Sequence, residues 1–83
     1  MEIHRGMTIE LKTIQDVKEF VEISSKYHDS DIVAEQGRYK VDGKSILGIF
    51  SLNLLEHIKV IIDSSYDNSK ISFYNNIQKW KVN

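Results

Sequence analysis

The sequence predicts an α+β fold in which helices cover one side of a small antiparallel β-sheet, an open-faced sandwich. Three observations support this prediction. Polar and apolar residues alternate near the N-terminus, two later segments repeat apolar residues at helical spacing, and short β-branched runs lie between them. The 83 residues fit one domain, residues 1–83, with a single core.

Composition excludes several classes of protein. The chain has no cysteine, so disulfides and thiolate sites are absent. A net charge of -1 and a pI near 6.3 argue against an electrostatic nucleic-acid binder. No apolar run approaches the ~20 residues of a membrane helix, and the N-terminus lacks a signal-peptide core. We therefore expect a cytoplasmic protein with neither a nucleic-acid nor a membrane partner.

The first half of the chain reads as strand, helix and hairpin. Residues 1–11 alternate as a strand with one buried face, interrupted near Arg5-Gly6 by an expected bulge. Residues 14–27 have a helical period that places Ile14 on the buried face. Thr13 is the predicted N-cap of this helix, and Asp16, three residues later, resembles the second residue of a capping box. Strands at 32–35 and 38–41 then pair about a turn at Gln36-Gly37.

The second half adds a helix, a strand and a final helix. Residues 44–55 are apolar almost all round and predict a helix capped by Ser45. Residues 58–62 are the strongest strand signal, and residues 70–82 have a helical period with Asp67, Asn68 or Ser69 as its cap. The aromatic residues of this last helix are expected in the core: Phe73, Tyr74 and Trp80. The element order is β-α-β-β-α-β-α, and periodicity leaves the strand order open.

The residues predict no intrinsic catalytic site. The glycines are too dispersed for a phosphate-binding loop. His4, His28 and His57 fall in three separate elements without metal-ligand spacing. We expect His4 on a solvated strand face and the other two at helix ends. We therefore expect a protein that is not an enzyme and that has no metal or other cofactor.

Three segments resemble the histidine-containing phosphocarrier family (HPr) of the bacterial sugar phosphotransferase system. They are VDGKSILGIFSL at 41–52, VEISSKY at 21–27 and IKVIID at 58–63. The first is similar to the family's lysine-serine segment that opens its second helix. The resemblance covers essentially the whole chain and implies three helices on one face of a four-stranded antiparallel sheet.

The resemblance also implies a phosphoacceptor histidine at the start of the first helix, followed by alanine or threonine, arginine and proline. Counting back from SSKY, the histidine position falls on Thr13, and Ile14, Gln15 and Asp16 follow. Threonine has neither the nucleophilicity nor the near-neutral pKa of an imidazole. Asp16 repels the anion that a helix N-terminus otherwise attracts. We therefore favour plain helix capping over residual phosphate chemistry at Thr13.

Ser45 falls where Gram-positive members of the family have a regulatory serine, phosphorylated by an ATP-dependent kinase. The alternative is that Ser45 is only an N-cap. Lys44 is expected to favour a phosphate there. The resemblance further implies partner binding by four residues: Gln15, Ile46, Leu47 and Phe50. For the last three, burial in the core is the alternative, and we expect Ile49 and Leu52 to fill that role.

Three functions remain open. The first is a regulatory or docking module without phosphate relay, controlled by phosphorylation at Ser45. It would bind partners through the helix at 45–55, among them a serine kinase and a transcriptional regulator. The second is a phosphocarrier that uses a non-standard site. The third is a divergent paralogue that binds an unrelated partner.

Overall fold

The computed structural model describes residues 6–82. The elements alternate as the sequence predicts, and a 3-10 turn at Gln78–Trp80 follows the last helix. In chain order they are β1 (Met7–Ile9), α1 (Ile14–Ser25), β2 (Asp31–Gln36), β3 (Tyr39–Asp42), α2 (Ile46–Phe50), β4 (Ile58–Asp63) and α3 (Asp67–Asn76).

The four strands form one antiparallel sheet in the order β1-β4-β2-β3. Burial alternates along the two central strands, so that one face of the sheet is apolar and covered. Ile32 pairs with Ile62, and Ala34 pairs with Val60, on this covered face. The predicted open-faced sandwich is confirmed. The structure also gives the order of the strands in the sheet, which the sequence left open.

Aromatic side chains join the helices over the covered face. The ring of Phe20 in α1 lies 6.4 Å from that of Phe73 in α3 and 6.1 Å from that of Trp80, both edge to face. Tyr74 is also buried, and its hydroxyl accepts a hydrogen bond from the Ile62 N–H at 3.3 Å. The prediction that these aromatic residues form core is confirmed.

Element boundaries differ from the sequence prediction at several ends. Within the described part of the strand predicted at 1–11, β1 spans Met7–Ile9. His4 and Arg5 lie outside the described residues. The helix predicted at 14–27 ends at Ser25. The helix predicted at 70–82 instead spans Asp67–Asn76, because the Tyr66 carbonyl already accepts hydrogen bonds from the N–H groups that begin the helix. Tyr66 is its N-cap without a side-chain hydrogen bond, so the predicted polar cap is wrong.

The helix predicted over 45–55 is much shorter than expected and ends at Phe50. A distant side chain explains the early end. Gln36 donates from Nε2 to the Asn53 carbonyl at 2.7 Å and accepts at Oε1 from the Asn53 N–H at 2.8 Å. This two-point contact holds the segment after α2 in a non-helical course and lets Leu52 enter the core.

The hairpin between β2 and β3 forms where the sequence predicts it. Gln36 pairs with Tyr39, and Gly37 has a φ of 60°, which favours glycine. No helix within residues 6–82 has the length and apolar character needed to cross a membrane.

Ser24 lies on the buried face of α1, and its hydroxyl is enclosed without a hydrogen-bond partner among residues 6–82. We expect Ser24→Ala to raise the free energy of unfolding by about 1 kcal/mol, because an unpaired buried hydroxyl is costly and alanine favours helix. Thermal unfolding should shift upward by about 4–8 °C.

The neighbouring Ser25 provides a matched control. Its hydroxyl is on the exposed side of α1 and donates to the Val21 carbonyl at 2.8 Å. Ser25→Ala should change stability by less than about 0.5 kcal/mol. Destabilisation by Ser24→Ala would show that its hydroxyl is paired in solution.

Candidate functional site

The start of α1 is closed by its own cap. The Thr13 side chain accepts a hydrogen bond from the Asp16 N–H at 3.0 Å. In return, Asp16 Oδ2 accepts from the Lys12 N–H at 3.2 Å. The predicted cap is confirmed, and it places a carboxylate at the positive end of the helix. Thr13 and Gln15 are both exposed.

Ile14, the first residue of α1, does not join the core. The sequence places it on the buried face of the helix, but its side chain is 63% exposed. It stands at the first helical position, one turn before the buried Val17, and the covered face begins only there. The expectation of a buried Ile14 is wrong, and the residue adds exposed apolar surface to the start of α1.

Residues of α2 divide between the core and the solvent. Ile49 and Leu52, expected in the core, are 0% and 7% exposed. Ile46, Leu47 and Phe50, which we call the α2 patch, are 37%, 79% and 39% exposed. Burial of these three in the core, the alternative left open by the sequence, is therefore not what the structure shows. The α2 patch lies on a helix that contacts α1.

Ser45 caps α2 as predicted. Its side-chain oxygen accepts a hydrogen bond from the Gly48 N–H at 3.1 Å, and the residue is half-buried. The same oxygen is the atom that a kinase would modify. The cap and the proposed modification therefore involve one atom.

Lys44 has a different role from the one its position beside Ser45 suggests. Its ammonium donates to the carbonyl of Tyr27 at 2.7 Å and to the carbonyl of Ser30 at 2.6 Å. Both carbonyls belong to the segment that follows α1. The ammonium thus ties the segment after α1 to the start of α2 and keeps its positive charge next to Ser45 in the chain, so the expectation that Lys44 favours a phosphate there stays a prediction.

Glu10 and His57 form a hydrogen-bonded pair that sequence reasoning missed. His57 Nε2 lies 2.8 Å from Glu10 Oε1, and the Lys12 ammonium lies 3.4 Å from Glu10 Oε2. The Lys12 hydrogen bond is the main cause that lowers the pKa of Glu10, with His57 acting in the same direction against desolvation. Forty-seven residues separate the pair, so no local pattern could indicate it.

The histidines differ from expectation in one case. His57 precedes β4 and is not at the end of a helix, since α2 ends at Phe50. His28 is exposed in the segment after α1, and His4 lies outside the described residues. Among residues 6–82, no three histidine, aspartate or glutamate side chains are grouped to hold a metal ion.

Comparison with solved structures relates this arrangement to known proteins. The chain is similar to HPr-C-His from Thermoanaerobacter tengcongensis, with 28% identity, a TM-score of 0.72 and coverage of 90% of this chain and 92% of that one. No protein-family model and no curated protein sequence matches the chain.

Two further solved structures share the fold at lower identity. The phosphocarrier protein HPr from Bacillus anthracis is 21% identical with a TM-score of 0.61, over 86% of this chain and 93% of its own. The catabolite repression protein Crh of Bacillus subtilis, described as a swapped dimer, is 20% identical with a TM-score of 0.63, over 93% and 90%.

The ion pair at Glu10 makes a pH-dependent prediction. Because the folded-state pKa of Glu10 lies below its ordinary value, its contribution to stability is present above that ordinary value and is lost as pH falls through the folded pKa. Glu10→Gln should therefore lower the thermal midpoint slightly near neutral pH. At a pH below both the folded-state pKa and the ordinary pKa of Glu10, the thermal midpoint of Glu10→Gln should converge on that of the unmodified chain.

Glu22, an exposed glutamate in α1, is the control for this experiment. Thermal unfolding measured from about pH 3 to pH 7 should show no comparable pH-dependent gap for Glu22→Gln. A Glu10→Gln midpoint equal to that of the unmodified chain at every pH would contradict the assigned ion pair.

Proposed function

We propose that this HPr-like protein is a docking and regulatory module of the phosphotransferase-system family, acting in the bacterial cytoplasm, and that it does not relay phosphate or catalyse a reaction itself. The observation that carries the proposal is the exposure of the α2 patch. Leu47 alone is 79% exposed on a helix whose other side is core.

Exposed apolar residues that cluster on one element are typical of protein-binding surfaces. The resemblance to the HPr family implies protein partners, and the α2 patch supplies apolar area for such a contact. The exposed Ile14 and Gln15 at the start of α1 extend the proposed surface. α1 and α2 are in contact, which makes one interface over both helices feasible.

The start of α1 supports a module without phosphate relay. A phosphohistidine requires an imidazole, and the residue at the cap is Thr13. The N–H groups of Lys12 and Asp16 are occupied by the cap. The carboxylate of Asp16 would oppose a phosphate at this end of the helix. The arrangement is thus suited to helix capping and poorly suited to phosphoryl transfer.

Regulation through Ser45 is the second part of the proposal. A phosphate on its oxygen would add roughly -1.5 to -2 charges directly beside the α2 patch. The Gly48 N–H that now donates to this oxygen would be available to the phosphate. We propose a serine kinase as the partner that adds the phosphate and a transcriptional regulator as a partner that distinguishes the two states.

The proposal is tested with the ATP-dependent kinase that phosphorylates HPr proteins on serine. We expect one phosphate on the unmodified chain, located at Ser45 by mass spectrometry, and none on Ser45→Ala. Ser45→Ala should also lose about 1 kcal/mol of stability with its cap, so folding is checked by circular dichroism. No phosphate at Ser45 of the unmodified chain would overturn regulation through this serine.

Docking at the α2 patch is tested by kcat/KM of the same kinase for Leu47→Asp. We expect a loss of at least about tenfold, because a charge replaces an exposed apolar contact. Ile71→Asp is the matched control, since Ile71 is 39% exposed on α3 and outside the patch. Equal kcat/KM values for the two variants would contradict docking through α2.

A further inference from the structure

We propose that two copies of this chain associate through the outer edge of β3, antiparallel and centred on Val41, to form one continuous sheet. This inference concerns the edge of the sheet and goes beyond the proposed docking through α2. The failure of either proposal would leave the other standing.

The two edges of the sheet differ. The outer side of β1 is covered by the last described residues of the chain. Val82 donates its N–H to the Thr8 carbonyl at 3.0 Å, and the Glu10 N–H donates to the Trp80 carbonyl at 3.0 Å. No strand within residues 6–82 covers the outer side of β3. Unpaired strand edges are templates for pairing with another chain.

The hydrogen-bond pattern shows which groups β3 presents at its edge. Gly43 donates its N–H to the Ile32 carbonyl at 2.7 Å, so Gly43 faces inward to β2. Alternation along the strand turns the backbone of Val41 inward as well and that of Lys40 and Asp42 outward. The Asp42 carbonyl accepts the Ser45 N–H at 3.0 Å and retains a second lone pair.

Charge on the open face of the sheet selects one register. Lys59, Glu35 and Lys40 lie side by side across β4, β2 and β3. Lys40 Nζ is 3.9 Å from Glu35 Oε2. Pairing centred on Val41 sets Lys40 opposite the partner's Asp42, which continues the alternation of positive and negative charge across the new boundary. Opposite charges facing each other across strands are stabilising.

Two neighbouring registers would also pair the outward-facing backbone groups of β3, and both are unfavourable. A shift toward the hairpin turn sets Lys40 opposite the partner's Lys40. A shift in the other sense sets Asp42 opposite the partner's Asp42. Like charges directly opposite destabilise a strand pair. Lysine on a strand edge normally prevents association, and here it permits only the register in which Asp42 neutralises it.

The interface is small, so the dimer should be weak and depend on concentration. Each of the two Lys40–Asp42 pairs exchanges its backbone hydrogen bonds, and Val41 faces the partner's Val41 between them. The contact involves only the four residues of β3 from each copy. Each chain keeps its own fold, and the helices remain on the covered side of the sheet.

Sedimentation velocity from about 10 μM to about 1 mM tests the dimer. We expect the unmodified chain to shift toward dimer at the upper end and Lys40→Glu to remain monomeric, because Glu faces Asp42. Lys59→Glu is the matched control. It changes the same charge next to the same Glu35, but it lies on a central strand, and it should still dimerise.

A cysteine crosslink tests the register. The chain has no cysteine, so Val41→Cys introduces a single thiol. Across the two-fold axis the paired Cα atoms would be about 4.5 Å apart, within the range for a disulfide. Mild oxidation should give a covalent dimer for Val41→Cys and none for Lys59→Cys. A monomer at every concentration, dimerisation by Lys40→Glu, or a dimer without the Val41 crosslink would each overturn the proposal.

Discussion

Burial of one apolar face of the sheet is the constraint on which the rest of the structure depends. Ile32, Ala34, Val60 and Ile62 all point to the same side of the two central strands. A single-layer sheet cannot leave such a face in water, because its burial is the main favourable contribution to folding. The helices must lie across it, and each therefore has one covered side and one side free for another role.

That division of each helix explains the position of the candidate surface. In α2, Ile49 is buried in the core, and the remaining apolar residues of so short a helix are left partly or largely exposed. In α1, the covered face begins at Val17, so the first turn is free of packing demands. Its cap by Thr13 and Asp16 stabilises the helix locally. Capping and anion binding compete for the first N–H groups of a helix, and in α1 the Asp16 N–H is used for capping.

Much of the fold and part of the site could be predicted from the sequence, because they depend on local patterns. The caps at Thr13 and Ser45 and the burial of Ile49 follow from residue type and helical period. The early end of α2 depends on Gln36, which lies at the end of β2 and contacts Asn53 in the segment after α2. Periodicity carries no information about such a contact.

Three other features were equally inaccessible to sequence reasoning. Lys44 appears free beside Ser45, yet its ammonium is held by carbonyls more than ten residues away in the chain. The pair of Glu10 and His57 forms only because β1 and β4 are neighbours in the sheet. The covered edge of β1 likewise depends on where the C-terminal residues return.

The central claim is that this HPr-like protein docks to partners without carrying phosphate on histidine. The most direct measurement is incubation with phosphoenolpyruvate and the general phosphotransferase enzyme, beside an HPr that contains the histidine as a positive control. We expect acid-labile phosphate on that control and none on this chain. Acid-labile phosphate on any histidine of this chain would contradict the claim.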